Sequence, residues 1–289
     1  MRAITPPMQN PEDVFNLCIN SISDQNLRAR LSLVTGDIID AAHDYFDKAQ
    51  VRNLFSIPPN VCRNNEVVIG TVTKEELKKV YSDHMVGIGK PARNIYDLLL
   101  ASAPRRKCPF CGFGQATTLD HYLPKTKFPL LSVLPWNLVP SCKDCNTGKS
   151  SKIATSENEQ TLHPYFEQRS IVEEQWLRAR LIMSTPPVLE FYVDPPQHWD
   201  PIEKARVESH FLSYKLATRF SIEASNELAG LKDTFSVLWG DLGFAGVQLH
   251  LQGTARGKAG QHANSWDTAM YEALAASHWY VSGGFRNFI

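Results

Sequence analysis

Six cysteines are spread unevenly through 289 residues: Cys18 and Cys62 stand alone, while Cys108, Cys111, Cys142 and Cys145 form two Cys-x-x-Cys pairs. Each such turn presents two thiolates to one ion, and two turns together close a tetrahedral zinc site. A chain of this length without an export signal gives a disulfide framework no redox support, so structural Zn²⁺ is the expectation for the paired cysteines. Cys18 and Cys62 read as small hydrophobes. A zinc knuckle alone would explain the cysteines but not what lies between and beside them. Asp120-His121 ends the run QATTLDH, and Asn146 directly follows Cys145. A neutral imidazole can take a proton from water, and oxygen ligands can hold a hard divalent cation beside a phosphate. Lys125, Lys127 and Lys149 are candidate phosphate contacts, with Lys149 one helical turn beyond Cys145.

The elements that must position these groups follow from periodicity. Ala116, Thr118 and Asp120 alternate with Thr117, Leu119 and His121, which fits a short strand ending at the Asp-His pair. Pro124, Pro129, Pro135 and Pro140 keep the following loop extended, Asn137-Leu138-Val139 fits a second strand, and a helix is expected from about Lys143 to Ala154. Strand, loop, strand and helix place Asp120, His121 and Asn146 where they can converge on one ion.

The run LDHYLPK…NLVPSCKDCNTGK resembles an HNH endonuclease of the His-Me finger (ββα-metal) superfamily, in the variant with Asn as the third letter. The resemblance covers residues 104–163, about a fifth of the chain. It implies that His121 is the general base activating water for in-line attack on phosphorus. Asp120 and the Asn146 oxygen would hold one Mg²⁺ or Mn²⁺, and Asn137 would brace the loop and orient His121. The products would carry a 5′-phosphate and a 3′-hydroxyl, and the four cysteines would be the zinc staple of the finger. The wider context (YSDHMVG, IYDLLLASAP, CPFCG, LHPYF) is similar to PtuB-type HNH nucleases of Septu anti-phage systems, which are encoded beside an ABC- or AAA-type ATPase. That resemblance implies a separate ATPase chain as partner. The Asp-His, Asn and Asn set in a zinc-stapled finger sets the expectation of double-stranded DNA as substrate, and a homodimer within a larger complex is a further expectation.

Outside the finger the expectation is an α+β, predominantly helical protein: an N-terminal helical region at 1–103, the finger at 104–163 and a mainly helical region at 164–289 available for partner docking. In the first region Ser32–Ala49 is apolar at helical spacing, Val67–Gly70 fits a strand or an extended lead-in, and Thr73 with Glu76 is a capping-box signature. Beyond the finger, Ile171–Met183 reads as a helix and Val188–Val193 as a strand. A long helix follows from about Pro201 to Trp239, divided at Gly230, and Gly253–Asn264 reads as a Gly-rich loop carrying Arg256, Lys258 and His262. Trp266–Tyr280 reads as a last helix. His163, before Pro164, either anchors the end of the insert or lies near the metal; His84 reads as packing.

Apolar residues at 43% and charged residues at 21% exclude a largely disordered chain. The N-terminal stretch has no apolar run ahead of a cleavage site and no window is a membrane span, so a cytoplasmic protein is expected. Thirty basic residues balance thirty acidic ones, which by itself argues against nucleic acid. The balance is not uniform. Residues 104–152 carry Arg105, Arg106, Lys107, Lys125, Lys127, Lys143, Lys149 and Lys152 against only Asp120 and Asp144. Phosphate attraction is therefore concentrated around the finger. The competing reading is a catalytically inactive zinc-finger subunit that binds DNA or protein, or serves as a scaffold. A deaminase-type zinc enzyme is disfavoured, because four cysteines leave the zinc no open position.

Overall fold

Helices build the N-terminal part of the chain, three of them opened by a side-chain cap. Asn10 caps α1 (Pro11–Ile19) and Asp24 caps α2 (Gln25–Leu33), each accepting from two backbone N–H groups of its helix. Helix α3 (Thr35–Gln50) buries Ile38, Ala42, Tyr45 and Ala49 along one stripe. A small antiparallel pair, β1 (Val67–Ile69) and β2 (Val72–Thr73), leads into α4 (Lys74–Lys79). The expected capping box is formed: Glu76 N donates to Thr73 Oγ1 at 3.3 Å, and Thr73 N donates to Glu76 Oε2 at 2.8 Å. Helix α4 runs directly into a π-helical turn, Val80–Met85, and α5 (Arg93–Ala101) follows.

The computed structural model describes residues 1–148 and 153–287, and it is a predominantly helical α+β protein. Among the described residues no helix is long and apolar enough to cross a membrane. The chain divides into two compact units, Arg2–Glu167 and Gln168–Ile289 with Met1. No division falls at residue 103. Leu119, Val133 and Leu138 of the finger belong to the same buried cluster as Phe15, Cys18, Leu31, Leu77, Val80 and Leu99 of the preceding helices. Burying each of these leucines stabilises by about 1.5–3 kcal/mol, so the finger and the helices share one core. Burial pushes the Cys18 thiol up to about 12, in keeping with a small apolar role.

Within the finger, β3 (Thr118–His121) pairs antiparallel with β4 (Leu138–Ser141), in the register Thr118 to Ser141 and His121 to Leu138. Helix α6 (Lys143–Gly148) follows β4. Of the helix expected to reach Ala154, residues 149–152, with Lys149 and Lys152, lie outside the described residues, and Ile153 and Ala154 are not helical.

The second unit corrects four expectations. Ile171–Met183 is not a helix: α7 (Arg169–Glu173) is one short turn, and β5 (Leu177–Ile182) follows. LRARLI alternates with period two, and it pairs along its whole length with β6 (Val188–Val193), the strand expected there. Gly230 does not divide the long helix. Lys215, at φ 51°, separates α8 (Pro201–Ser213) from α9 (Leu216–Gln261), and Gly243, at φ 61°, interrupts α9 instead. The segment expected as a Gly-rich loop is helical to Gln261. Val247, Leu251 and Ala255 carry the buried stripe through it, while Gly253, Gly257 and Gly260 lie on the opposite, more open side. Helix α10 (Trp266–Ala276) and the short α11 (His278–Val281) are separated at Ser277, whose hydroxyl accepts from Tyr280 N.

Candidate functional site

The four paired cysteines come together. Cys108, Cys111, Cys142 and Cys145 are all buried, and their sulfurs lie within 4.8 Å of one another. Two local turns aim them. Cys108 N donates to Gly114 O and Gly112 N to Cys108 O, both at 2.7 Å, around Gly112 in the left-handed region at φ 81°. Gly114 N donates to Cys111 Sγ and Cys145 N to Cys142 Sγ, each at 3.4 Å. Backbone donors to sulfur stabilise thiolate over thiol. Hydrogen bonds from neighbouring thiols lower Cys111 and Cys142, whereas burial raises Cys108. Four buried soft ligands at this separation fit a closed tetrahedral zinc site, which has no position left for catalysis.

The two cysteine turns flank β3 and β4, and α6 starts at the second of them. Thr118 and Asp120 lie on one face of β3 and Leu119 and His121 on the other, by strand alternation. Asn146 on α6 donates from Nδ2 to Thr118 Oγ1 and, at 3.5 Å, to Leu119 O. The structure thus brings Asn146 onto the strand that carries Asp120, which is itself buried. His121, at the end of β3, is 8% exposed. Its Nε2 lies 2.8 Å from the Ser132 carbonyl oxygen. A carbonyl only accepts, so Nε2 carries the ring proton and Nδ1 is the basic nitrogen.

Asn137 is fully buried, and its amide is committed to the loop between the strands through Leu123 and Leu131. It braces the loop that presents Ser132 and does so through backbone rather than by a bond to His121. Lys125 is half-buried; its Nζ lies 4.4 Å over the Tyr81 ring and donates to Ser82 Oγ at 3.4 Å. Burial lowers its ammonium below the ordinary lysine range. Lys127 is exposed, and Lys149 lies outside the described residues.

His163 is 2% exposed, accepts from Tyr165 N at Nδ1 and lies 2.9 Å from Tyr45 Oη through Nε2. Its ring packs 4.1 Å from Tyr122. These contacts make it the anchor of the insert's end. His84 Nδ1 lies 2.8 Å from Ser21 Oγ, a packing role as expected.

Three contributors were not legible as such in the sequence. Gly114 is one: a Cβ there would meet Cys142 Cβ and Sγ at 2.9 Å, and the spacing CPFCGFG was its only signal. The others are Ser132 and Tyr81. The Tyr81 ring meets His121 edge to face at a centroid distance of 4.4 Å. Neither has a local sequence signal, because both contacts span the fold.

Over 232 residues the chain is 33% identical to the protein Ea31 of Escherichia phage lambda, covering 79% of this chain and 78% of that protein. No family model matches the chain, and no solved structure matches it.

Proposed function

The chain belongs to the family of the phage lambda protein Ea31, and we propose that it is a metal-dependent endonuclease of the HNH type that hydrolyses DNA phosphodiester bonds. One observation carries the reading: the hydrogen bond from His121 Nε2 to the Ser132 carbonyl makes Nδ1 the ring nitrogen that can take up a proton. A general base needs that tautomer held still, and a carbonyl acceptor also favours the imidazolium once the proton has arrived. In this reading His121 takes the proton of the attacking water. Asp120 and Asn146 supply the hard oxygen donors that suit Mg²⁺ or Mn²⁺, which when bound would offset charge on the scissile phosphate and the leaving oxygen. Asn137 keeps the loop in place, Lys125 and Lys127 contribute positive charge beside the strand, and the four cysteines hold the finger with zinc. Control by a separate ATPase chain and a role in anti-phage defence complete the proposal.

A second reading is an inactive zinc-stapled binding or scaffold subunit. It draws on Asn146, whose amide already ties α6 to β3 and so has a structural reason to be there. The deciding experiment is a plasmid cleavage assay with Mg²⁺ or Mn²⁺, comparing wild type with H121A, alone and with an ATPase encoded beside it. Cleavage by wild type and not by H121A is the expected result. Intact plasmid in every combination overturns the enzyme reading.

A further inference from the structure

We infer that Tyr81 is a positioning residue for His121, supplied from the helices outside the finger. The inference rests on the nuclease reading for its kinetic consequence but not for its structural one. An imidazole at a strand end has two freedoms that matter to a base: which nitrogen carries the proton, and how the ring is rotated about its Cβ–Cγ bond. The Ser132 carbonyl at 2.8 Å selects the tautomer, but only while the ring keeps Nε2 pointed at it. The Tyr81 ring packs against the imidazole at 4.4 Å with the two planes 72° apart, which obstructs that rotation. Such edge-to-face contacts are directional as well as apolar.

Both restraints trace to one segment. Ser132 Oγ donates to the Leu77 carbonyl at 2.9 Å, which fixes the residue whose carbonyl accepts the hydrogen bond from His121. Leu77 lies in α4, and Tyr81 lies four residues later in the π-helical turn. π-Helical turns recur at functional sites, where they re-aim a side chain that a regular helix would place elsewhere. Tyr81 is itself held: its hydroxyl donates to the Leu119 carbonyl at 3.5 Å, and Lys125 Nζ sits 4.4 Å over its ring. Helix α4 and its π turn are thus part of the site, through a ring and a carbonyl that no finger motif contains.

The test uses the full chain labelled with ¹⁵N-histidine, with the His121 signals assigned by their loss in H121A. In mildly alkaline buffer wild type and Y81F should show one fixed tautomer, protonated at Nε2. Y81L, which removes the ring, and S132A, which frees the Ser132 loop from Leu77, should both show nitrogen shifts averaged between tautomers, with thermal unfolding still cooperative. In plasmid cleavage, Y81L should lower kcat about tenfold with KM unchanged, and Y81F should stay within about twofold of wild type. Unchanged His121 nitrogen shifts in Y81L would overturn the inference, as would a loss in Y81F as large as in Y81L. An inactive wild type with the expected tautomer changes would remove the nuclease reading and leave the positioning intact.

Discussion

Asn137 pairs with Leu123 as though it were a further residue of the β-ladder: Leu123 N donates to Asn137 Oδ1 at 2.7 Å, and Asn137 Nδ2 donates to Leu123 O at 3.0 Å. The side-chain amide mimics a peptide group just where the pairing of β3 with β4 ends, and Nδ2 also reaches Leu131 O at 3.2 Å. N137A removes three partners from buried backbone groups, each costing about 1–3 kcal/mol if left unmet. Urea unfolding of the variant should show a loss of at least about 2 kcal/mol. N137D should be worse, because a carboxylate cannot donate to either carbonyl and would be charged in a fully buried position. An unchanged midpoint in N137A would mean that the loop holds its course without the amide.

The cysteine cluster predicts bound zinc in the purified protein at one ion per chain, measurable by elemental analysis. C111S or C145S should lose that zinc and the cooperative unfolding of the first unit, since a structural metal contributes folding free energy directly. G114A keeps all four ligands but drives a methyl group into Cys142. Its expected phenotype is faster zinc loss to a chelator with the metal still present at the start. Equal chelation rates for G114A and wild type would show that the knuckle accommodates the methyl.

The two proposed roles should separate kinetically. H121A should lower kcat by about 10²–10⁴ with little effect on the Mg²⁺ or Mn²⁺ concentration needed for half-maximal cleavage, as loss of a general base does. D120A and N146A should instead raise that metal requirement. If N146A unfolds the finger and leaves the metal requirement unchanged, Asn146 is a strut between α6 and β3 and not a ligand.

Acid sensitivity of the first unit should report on Glu76. Its hydrogen bond from the Arg30 guanidinium, aided by Thr73, lowers its carboxyl from 4.5 to about 2. A carboxyl lowered in the folded state adds stability that is complete above pH 4.5 and is lost as pH falls through about 2. The thermal midpoint of wild type should therefore exceed that of E76Q by a constant margin near neutrality, and the margin should shrink over that acid window. The pair is partly solvent-exposed, so a margin of a few degrees is expected and added salt should narrow it. A margin that does not change with pH would show that the charge of Glu76 is not the source of the effect of E76Q.

The zinc cluster, the strand before His121 and the capping box at Thr73 were legible because each is local. Two thiolates on one turn, alternation over a few residues and a side chain reaching three residues along are fixed by covalent geometry. The same local logic failed in the second unit. LRARLI has helix-tolerant composition and becomes a strand because Val188–Val193 is there to pair with it. Gly253, Gly257 and Gly260 read as a loop, yet the buried face of α9 at Leu251 and Ala255 keeps the helix intact at a cost of about 1 kcal/mol per glycine.

By itself, then, the sequence determined which side chains could do chemistry: four sulfurs in two turns, Asp120 and His121 at a strand end, and a basic excess around them. Tertiary structure alone decided how those atoms are held. The proton on His121 is placed by a carbonyl eleven residues away and the plane of its ring by Tyr81, forty residues earlier. Hydrogen bonds and ring contacts between segments are set by packing a shared core, and residues far apart in the chain meet there without any periodicity that announces it.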